Sequence, residues 1–375
     1  MRLSRRLSRE ELLALHRDLV ATPSVSGDEV AIVALLSSFL QAHGASVETV
    51  GGSLLAWTGE APVKGDVGGV PLVVLNTHVD TVPPSPGWTR EPFEVASEAG
   101  KVLGLGANDA KASVAAMVGA FLAVAEVDLP FSLVLTLVRG EETKSVGTAE
   151  VVAEFARRGL VPAMAIVGEP TGLDLAVAQK GLLVLELVAR GEAAHAAHAR
   201  ALGAPNAIIA LARDVAAIAD LPPGPLDPYL GRATVEPTVV SGGSARNVVP
   251  AEARVVLDCR TVPAEPPAAL LERLRAAVAG EIAVLSDRLV PVATDPASAL
   301  VAAALRARPA ARLYGSATLS DLTFFRGIPA LKVGPGESER SHRPDEFVFE
   351  DEIVAGAEFY ERLLRELAAE TERTS

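Results

Sequence analysis

Two histidines and several carboxylates stand at the ends of apolar, strand-like runs in this chain. The run 70–76 leads into Thr77-His78-Val79-Asp80, and the run 131–138 leads into Glu141-Glu142. The run 163–167 leads into Glu169, and 329–333 leads into a Gly-Pro-Gly loop that carries His342. A short run at 102–103 precedes Gly104 to Asn108, and Asp109 then heads an Ala-rich helix. In open α/β sheets, ligands bind outside the carboxyl ends of the strands. Imidazoles and carboxylates gathered on that edge make a donor set suited to divalent cations. The chemistry implied is metal-assisted hydrolysis.

Each position has its own logic. In an extended segment, residues two apart point to the same side, so Asp80 can support the His78 ring and fix its tautomer. Asp109 is placed either to cap its helix or to bridge two cations, and the sequence leaves both open. Glu141 and Glu142 are neighbours on an extended chain and point in different directions. One can bind metal while the other accepts a proton from water. Glu169, so close to a buried strand, is costly without a partner. His342 sits in Ser341-His342-Arg343-Pro344, a loop rather than an apolar face.

The elements that must position these residues follow from the apolar pattern. Ser8-Arg9-Glu10-Glu11 reads as a capping box opening a helix to about Ala21, and a second helix runs to about His43. Strands are expected at 46–50 and 54–58, and 60–69 reads as a polar turn region. The run 70–76 has the continuous apolar character of a strand buried on both faces. A helix reaches about Val127, followed by the strand 131–138, a helix over 147–158 and the strand 163–167. From about 180 to 291 the order becomes β-α-β-β-α-β, with strands at 182–189, 234–240, 253–260 and 281–289 and helices at 205–219 and 266–279. That is a ferredoxin-like module. It contains none of the metal-binding candidates. The chain is therefore expected to form a discontinuous metal-binding domain, 1–179 and 292–375, interrupted by an insert at 180–291.

Composition narrows the function. At 375 residues the chain suits two domains, and 49% of it is apolar, with few aromatics. A net charge of −13 with no basic stripe argues against a nucleic-acid partner. The single cysteine, Cys259, excludes an intramolecular disulfide and a multi-thiolate zinc site. The basic segment 1–9 is followed by charged residues where a signal peptide needs an apolar stretch, and no run is long enough to span a membrane. A soluble, cytoplasmic protein is expected. Gly104-x-Gly106 does not extend to a dinucleotide loop, because Asp109 stands where the third glycine belongs. There is no Gly-x-Ser-x-Gly elbow for a serine hydrolase.

These residues resemble the family of acetylornithine deacetylases, succinyl-diaminopimelate desuccinylases and related aminoacylases and carboxypeptidases. The match runs from Thr22-Pro23-Ser24-Val25-Ser26-Gly27 through Thr77-His78-Val79-Asp80-Thr81-Val82-Pro83 to Ser341-His342-Arg343-Pro344-Asp345-Glu346. The resemblance implies an α/β zinc-hydrolase catalytic domain, with a mixed, mainly parallel sheet flanked by helices, and an inserted lid or dimerisation domain. It implies two divalent ions per chain, zinc first, with cobalt or manganese as alternatives. His78, Asp109 and Glu169 would hold one ion, and Asp109, Glu142 and His342 the other. Glu141 would be the general base, Asp80 would orient His78, and the Asp109–Ala110 peptide bond would be cis.

In the insert, Gly191-Glu192-Ala193-Ala194-His195 looks like the family segment whose histidine reaches the partner subunit's active site. Asn247, in Gly242-Gly243-x-x-Arg246-Asn247, and Arg260 look like substrate-gripping residues. One departure is Asp109-Ala110-Lys111-Ala112-Ser113, where many relatives have Asp-x-Lys-Gly-Gly. The implied activity is hydrolysis of an N-acyl amino acid in a homodimer joined through the insert. N2-acetylornithine or acetylcitrulline, in arginine biosynthesis, is the first substrate. Succinyl-diaminopimelate, a carrier-linked lysine or ornithine, and a dipeptide are the alternatives. A non-catalytic binding relative is the reading from another class, and retention of every ligand and of Glu141 argues against it.

Overall fold

The computed structural model describes residues 6–59 and 70–374. The expected turn region 60–69 and part of the basic segment 1–9 lie outside the described residues. The chain forms two units. One runs through Val177 and resumes over Thr294–Tyr314 and from Ser320 onward; the other comprises Ala178–Ala293 and Gly315–Leu319.

In the first unit, four parallel strands form the centre of a mixed sheet. Their spatial order is Ser132–Val138, Leu72–His78, Pro162–Val167 and Ala330–Lys332. Antiparallel strands flank them, with Ser53–Trp57 and then Ser46–Val50 on one side and Leu175–Gln179 on the other. Every residue of Leu72–His78 is buried, as its unbroken apolar character requires. The strand runs two residues beyond the expected end. His78 itself pairs with Val138, and Thr77 Oγ1 donates to the Gly168 carbonyl, 2.9 Å away. The fold class is α/β, as expected.

The helix Lys111–Val124 is apolar all round and almost wholly buried, which suits a helix packed on several sides. The helices Arg9–Ala21 and Glu350–Thr374 pack against it. The first of these carries the capping box read from the sequence, with Ser8 and Glu11 exchanging hydrogen bonds. Sequence reading had not anticipated Glu350–Thr374, Ala299–Ala307 or Leu175–Gln179. The short run at 102–103 is the middle strand, Lys101–Leu103, of a small antiparallel sheet whose other strands, Ala96–Glu98 and Phe347–Phe349, that reading missed. That sheet ties the segment after His342 to the loop before Asp109.

In the second unit, four antiparallel strands lie in the order Thr234–Gly242, Glu252–Thr261, Gly181–Arg190, Glu281–Leu289. The helices Ala207–Ala219 and Pro267–Ala277 bury its core through Leu183, Leu185, Leu187, Leu211, Leu257 and Leu270. A short helix, Ala196–Leu202, and a two-residue pairing of Ala194–His195 with Val248–Val249 are additions to the expected module. Cys259 is buried and free, and burial pushes its thiol up to about 12, consistent with a packing role. Among the described residues, no single helix is long and apolar enough to cross a membrane.

One buried side chain makes stability depend on pH. His16 is fully buried, and its Nε2–H donates to the Ala107 carbonyl at 2.8 Å. Its Nδ1 has no partner among the described residues. Burial pushes the ring down from 6.5 to about 4. Between those values the unfolded chain takes up a proton that the native chain refuses, so stability falls as pH falls through that window. The total effect is about 3 kcal/mol. His16→Gln keeps a donor for Ala107 but cannot titrate. Urea unfolding from pH 7 to pH 4 should show a shallower loss of stability for the variant than for the parent chain.

Candidate metal centre

Because the four central strands are parallel, their carboxyl ends share one edge, and the candidate residues gather there. His78 ends its strand with Nδ1 3.0 Å from the Asp80 carbonyl oxygen, to which it donates, and 3.5 Å from Asp80 Oδ1. That leaves the Nε2 lone pair aimed at Asp109 Oδ1, 3.2 Å away, with Glu169 Oε1 at 3.9 Å. On the other side of Asp109, His342 Nε2 lies 2.9 Å from Glu142 Oε1 and 3.7 Å from Asp109 Oδ2. Two groups result, His78–Asp109–Glu169 and Asp109–Glu142–His342, and within each group the ligand atoms lie within 4.8 Å of one another. In the first group His78 and Glu169 are buried and the Asp109 side chain is 12% exposed, whereas the His342 side chain is 51% exposed.

Asp109 belongs to both groups. Its helix begins at Lys111, the cap residue is Ala110, and no side chain caps the end. Capping is therefore not what Asp109 does, and its carboxylate is left for other partners. The Asp109–Ala110 peptide bond is cis.

Asp80 does more than support a ring. Its carboxylate accepts from Ser26 Oγ at 2.6 Å and from the backbone N–H groups of Glu141 at 3.1 Å and Glu142 at 3.2 Å. One buried carboxylate thus fixes the Glu141-Glu142 turn against the end of the His78 strand. Glu141 is in neither ligand group among the described residues. Burial, reinforced by the charges of Glu169, Asp321 and Glu142, raises its carboxyl well above the ordinary range.

The electrostatics describe a site short of positive charge. Burial pushes Glu169 up to about 8, with Lys332 and His78 opposing it. Burial works against protonation of His78, yet its contacts with Asp109 and Asp80 and the charge of Glu169 hold it well above 6.5. The Glu142 contact raises His342 to about 9. Imidazole lone pairs facing carboxylate oxygens repel one another unless a proton or a cation lies between them. The donor set, two imidazoles and three carboxylates, is the chemistry of a divalent-cation pair.

Sequence reading missed three supports. Glu346, buried, accepts from the backbone N–H groups of Gly106, Asn108 and Asp109 at 2.8–3.0 Å. Asp321 accepts from Thr148 Oγ1 at 2.6 Å and Asn76 Nδ2 at 3.3 Å, behind the His78 strand. Asn108 reaches the His342 loop. Only Glu346 had a signal, an acidic residue in the His342 segment.

The second unit carries the remaining candidates. His195 is exposed, and its Nδ1 accepts from Ala197 N–H at 3.2 Å. The Asn247 carbonyl accepts from Ala196 N–H at 2.9 Å, so these two candidates are adjacent. Arg260 is not with them. It pairs with Asp258 at 2.8 and 3.2 Å and lies opposite Leu182, whereas the segment leading to His195 leaves the sheet beyond Arg190, opposite Glu252.

The profile of peptidase family M20/M25/M40 matches residues 74–366, a span that includes every one of these positions. The chain belongs to this family. A relative named succinyl-diaminopimelate desuccinylase, from Gluconacetobacter diazotrophicus, is 30% identical over 95% of this chain and 96% of its own length. One named acetylornithine deacetylase, from Proteus mirabilis, is 28% identical over 90% and 91%. A "probable carboxypeptidase" from Aspergillus clavatus is 32% identical over 76% of this chain, and the match spans 64% of that protein's length. Among solved structures, the aminopeptidase PepT from Bacillus cereus superposes with a TM-score of 0.77 at 21% identity, covering 97% of this chain and all of that one. YXEP from Bacillus subtilis, described as a dinuclear metal binding peptidase from M20 family, gives 0.73 at 17% identity over 96% and 98%.

Cation binding is directly measurable. Metal-stripped protein titrated with zinc should bind two ions per chain, and loading should raise the melting temperature, since a ligand at 100 times its Kd stabilises by about 2.7 kcal/mol. His342→Ala should bind one. Asp109→Asn, which weakens the shared carboxylate, should lose tight binding of both.

Proposed function

We propose that this chain hydrolyses the N-acyl amide bond of an N-acyl amino acid, with two divalent cations, zinc first, held by His78, Asp109, Glu142, Glu169 and His342. The observation that carries the reading is the pair of ligand groups sharing Asp109, with the half-buried carboxylate Glu141, which belongs to neither group, beside them. Bound divalent cations at such a pair of sites polarise a carbonyl oxygen and make water acidic.

The residues supply the rest. Glu141 takes a proton from the attacking water and delivers it to the leaving amine, and its raised carboxyl suits a base that must also act as an acid. Asp80 holds both the His78 ring and the Glu141 backbone, so the base and the first site keep a fixed spacing. His195 accepts a hydrogen bond at Nδ1, which leaves Nε2–H as a donor, the tautomer needed to face a developing oxyanion. Asn247 and Arg260 offer polar groups to the substrate's carboxylate, once Arg260 is released from Asp258.

N2-acetylornithine or acetylcitrulline, in a cytoplasmic arginine pathway, is our first substrate. Desuccinylation of succinyl-diaminopimelate is the second reading, favoured by the 30% identity over nearly the whole length to a relative of that name. Turnover of the three compounds by zinc-loaded protein separates these readings. With the preferred one, Glu141→Gln should lower kcat by about 10²–10⁴-fold while two cations remain bound. Loss of a cation instead would exchange the roles of Glu141 and Glu142.

The insert suits self-association. The strand Thr234–Gly242 is an edge strand, with Val239 and Val240 exposed by 60% and 72%. Beside it Ile208 and Ile209 are exposed, and a cavity of about 550 Å³ is lined by Ile208, Leu211, Val215, Pro237, Val239 and Val255. A second copy pairing here would cover both the strand edge and the apolar patch. An isologous dimer also accommodates the separation of His195 from Arg260, since opposite ends of one insert can serve two different active sites. Mixing inactive His195→Ala with inactive Glu141→Gln chains should restore about half the activity per mixed dimer. Subunit exchange with no recovered activity would place His195 in its own chain's site or outside catalysis.

A further inference from the structure

We propose that Asn108 is a positioning residue that sets the second cation site, Asp109–Glu142–His342, by locking the His342 loop to the Asp109 loop. The proposal rests on the two-cation reading above. Asn108 is fully buried. Its carboxamide oxygen accepts from the Glu337 N–H at 3.1 Å, and its Nδ2 donates to the Glu337 carbonyl at 3.0 Å. The side chain therefore pairs with the backbone of residue 337 as a neighbouring strand would. Nδ2 also donates to Ser341 Oγ at 3.2 Å. Asn108 is thus hydrogen-bonded to Ser341, the residue before His342.

The surroundings are shaped to this carboxamide. At Gly336, φ is +81°, and a Cβ there would lie 2.2 Å from Asn108 Oδ1, so only glycine lets the loop approach. From below, Glu346 holds the Asn108 and Asp109 N–H groups at 2.8 and 2.9 Å. The lock is reciprocal: a carboxylate from beyond His342 fixes the Asp109 loop, and a carboxamide from the Asp109 loop fixes the segment leading to His342.

The first site does not depend on this contact. His78 and Glu169 come from strand ends joined by parallel pairing, and the N–H of Asp109 remains held by Glu346. His342 is on a loop, half exposed, with φ at +59°. Its position relative to Asp109 is what Asn108 decides.

Zinc titration calorimetry on metal-stripped protein tests the proposal. The parent chain should show two binding steps; fewer than two would sink the two-cation reading itself. In Asn108→Ala the step that His342→Ala abolishes should lose affinity by roughly 10–100-fold, the usual effect of removing a partner behind a ligand. The other step should be unchanged. A role in folding alone would lower the melting temperature without separating the two steps. Two steps of unchanged affinity, or equal weakening of both, would overturn the assignment. Should Asn108→Ala fail to fold, Ser341→Ala removes the hydrogen bond from Asn108 to the residue before His342 with less disturbance. It must weaken the same step selectively, and unchanged steps in that variant would overturn the proposal equally.

Discussion

Carboxylates brought out of water onto one sheet edge are the constraint around which the larger unit is arranged. Asp80, Asp109, Glu141, Glu142, Glu169, Asp321 and Glu346 lie in or behind the same site, and most are buried. Each carries a desolvation cost that nothing apolar can offset. The fold meets this in two ways. Carboxylates at the back are given backbone or hydroxyl donors: Asp80 receives Ser26 and the N–H groups of Glu141 and Glu142, and Glu346 receives three N–H groups. Those at the front face histidine and each other, and are left to positive charge. The division between braced carboxylates and those left to positive charge is therefore visible in what each one hydrogen-bonds.

The sequence reading went furthest where a strand end did the positioning. His78, Glu142 and Glu169 follow apolar runs whose parallel pairing needs no further information to place them on one edge, and the α/β class follows from the same pattern. It was weaker where position depends on a loop packed against distant chain. Asn108 and Asp321 have no periodic signature, since their roles arise from contacts with residues 337 and 148 that no local pattern encodes. Asp109 shows the converse case. Its place at the head of a helix suggested a cap, and only the observed start at Lys111 removes that alternative.

The two units differ in how they use polar residues. In the larger one, polar side chains enter the core and are held by many partners. In the smaller one, charged groups lie on the outer face of the sheet as exposed pairs such as Arg254 with Glu186 and Arg190 with Glu252. Surface pairs of that kind contribute little to stability. The apolar layer beneath its two helices carries the smaller unit, and its polar ends are free to serve recognition.

The reach of the Glu346 contact has a consequence for the order of events during folding. Asp109 receives this support from a residue 237 positions further along the chain, and Glu142 meets His342 across 200. Contacts of such separation form late, because the intervening chain must be ordered first. A ribosome-bound chain that has emerged only as far as the smaller unit already contains His78, Asp109, Glu142 and Glu169, but not the segment that closes the site around them. Until that segment arrives, the acidic cluster has neither its brace nor its second histidine. Competence to hold cations in the final arrangement is thereby coupled to the synthesis of the last part of the larger unit.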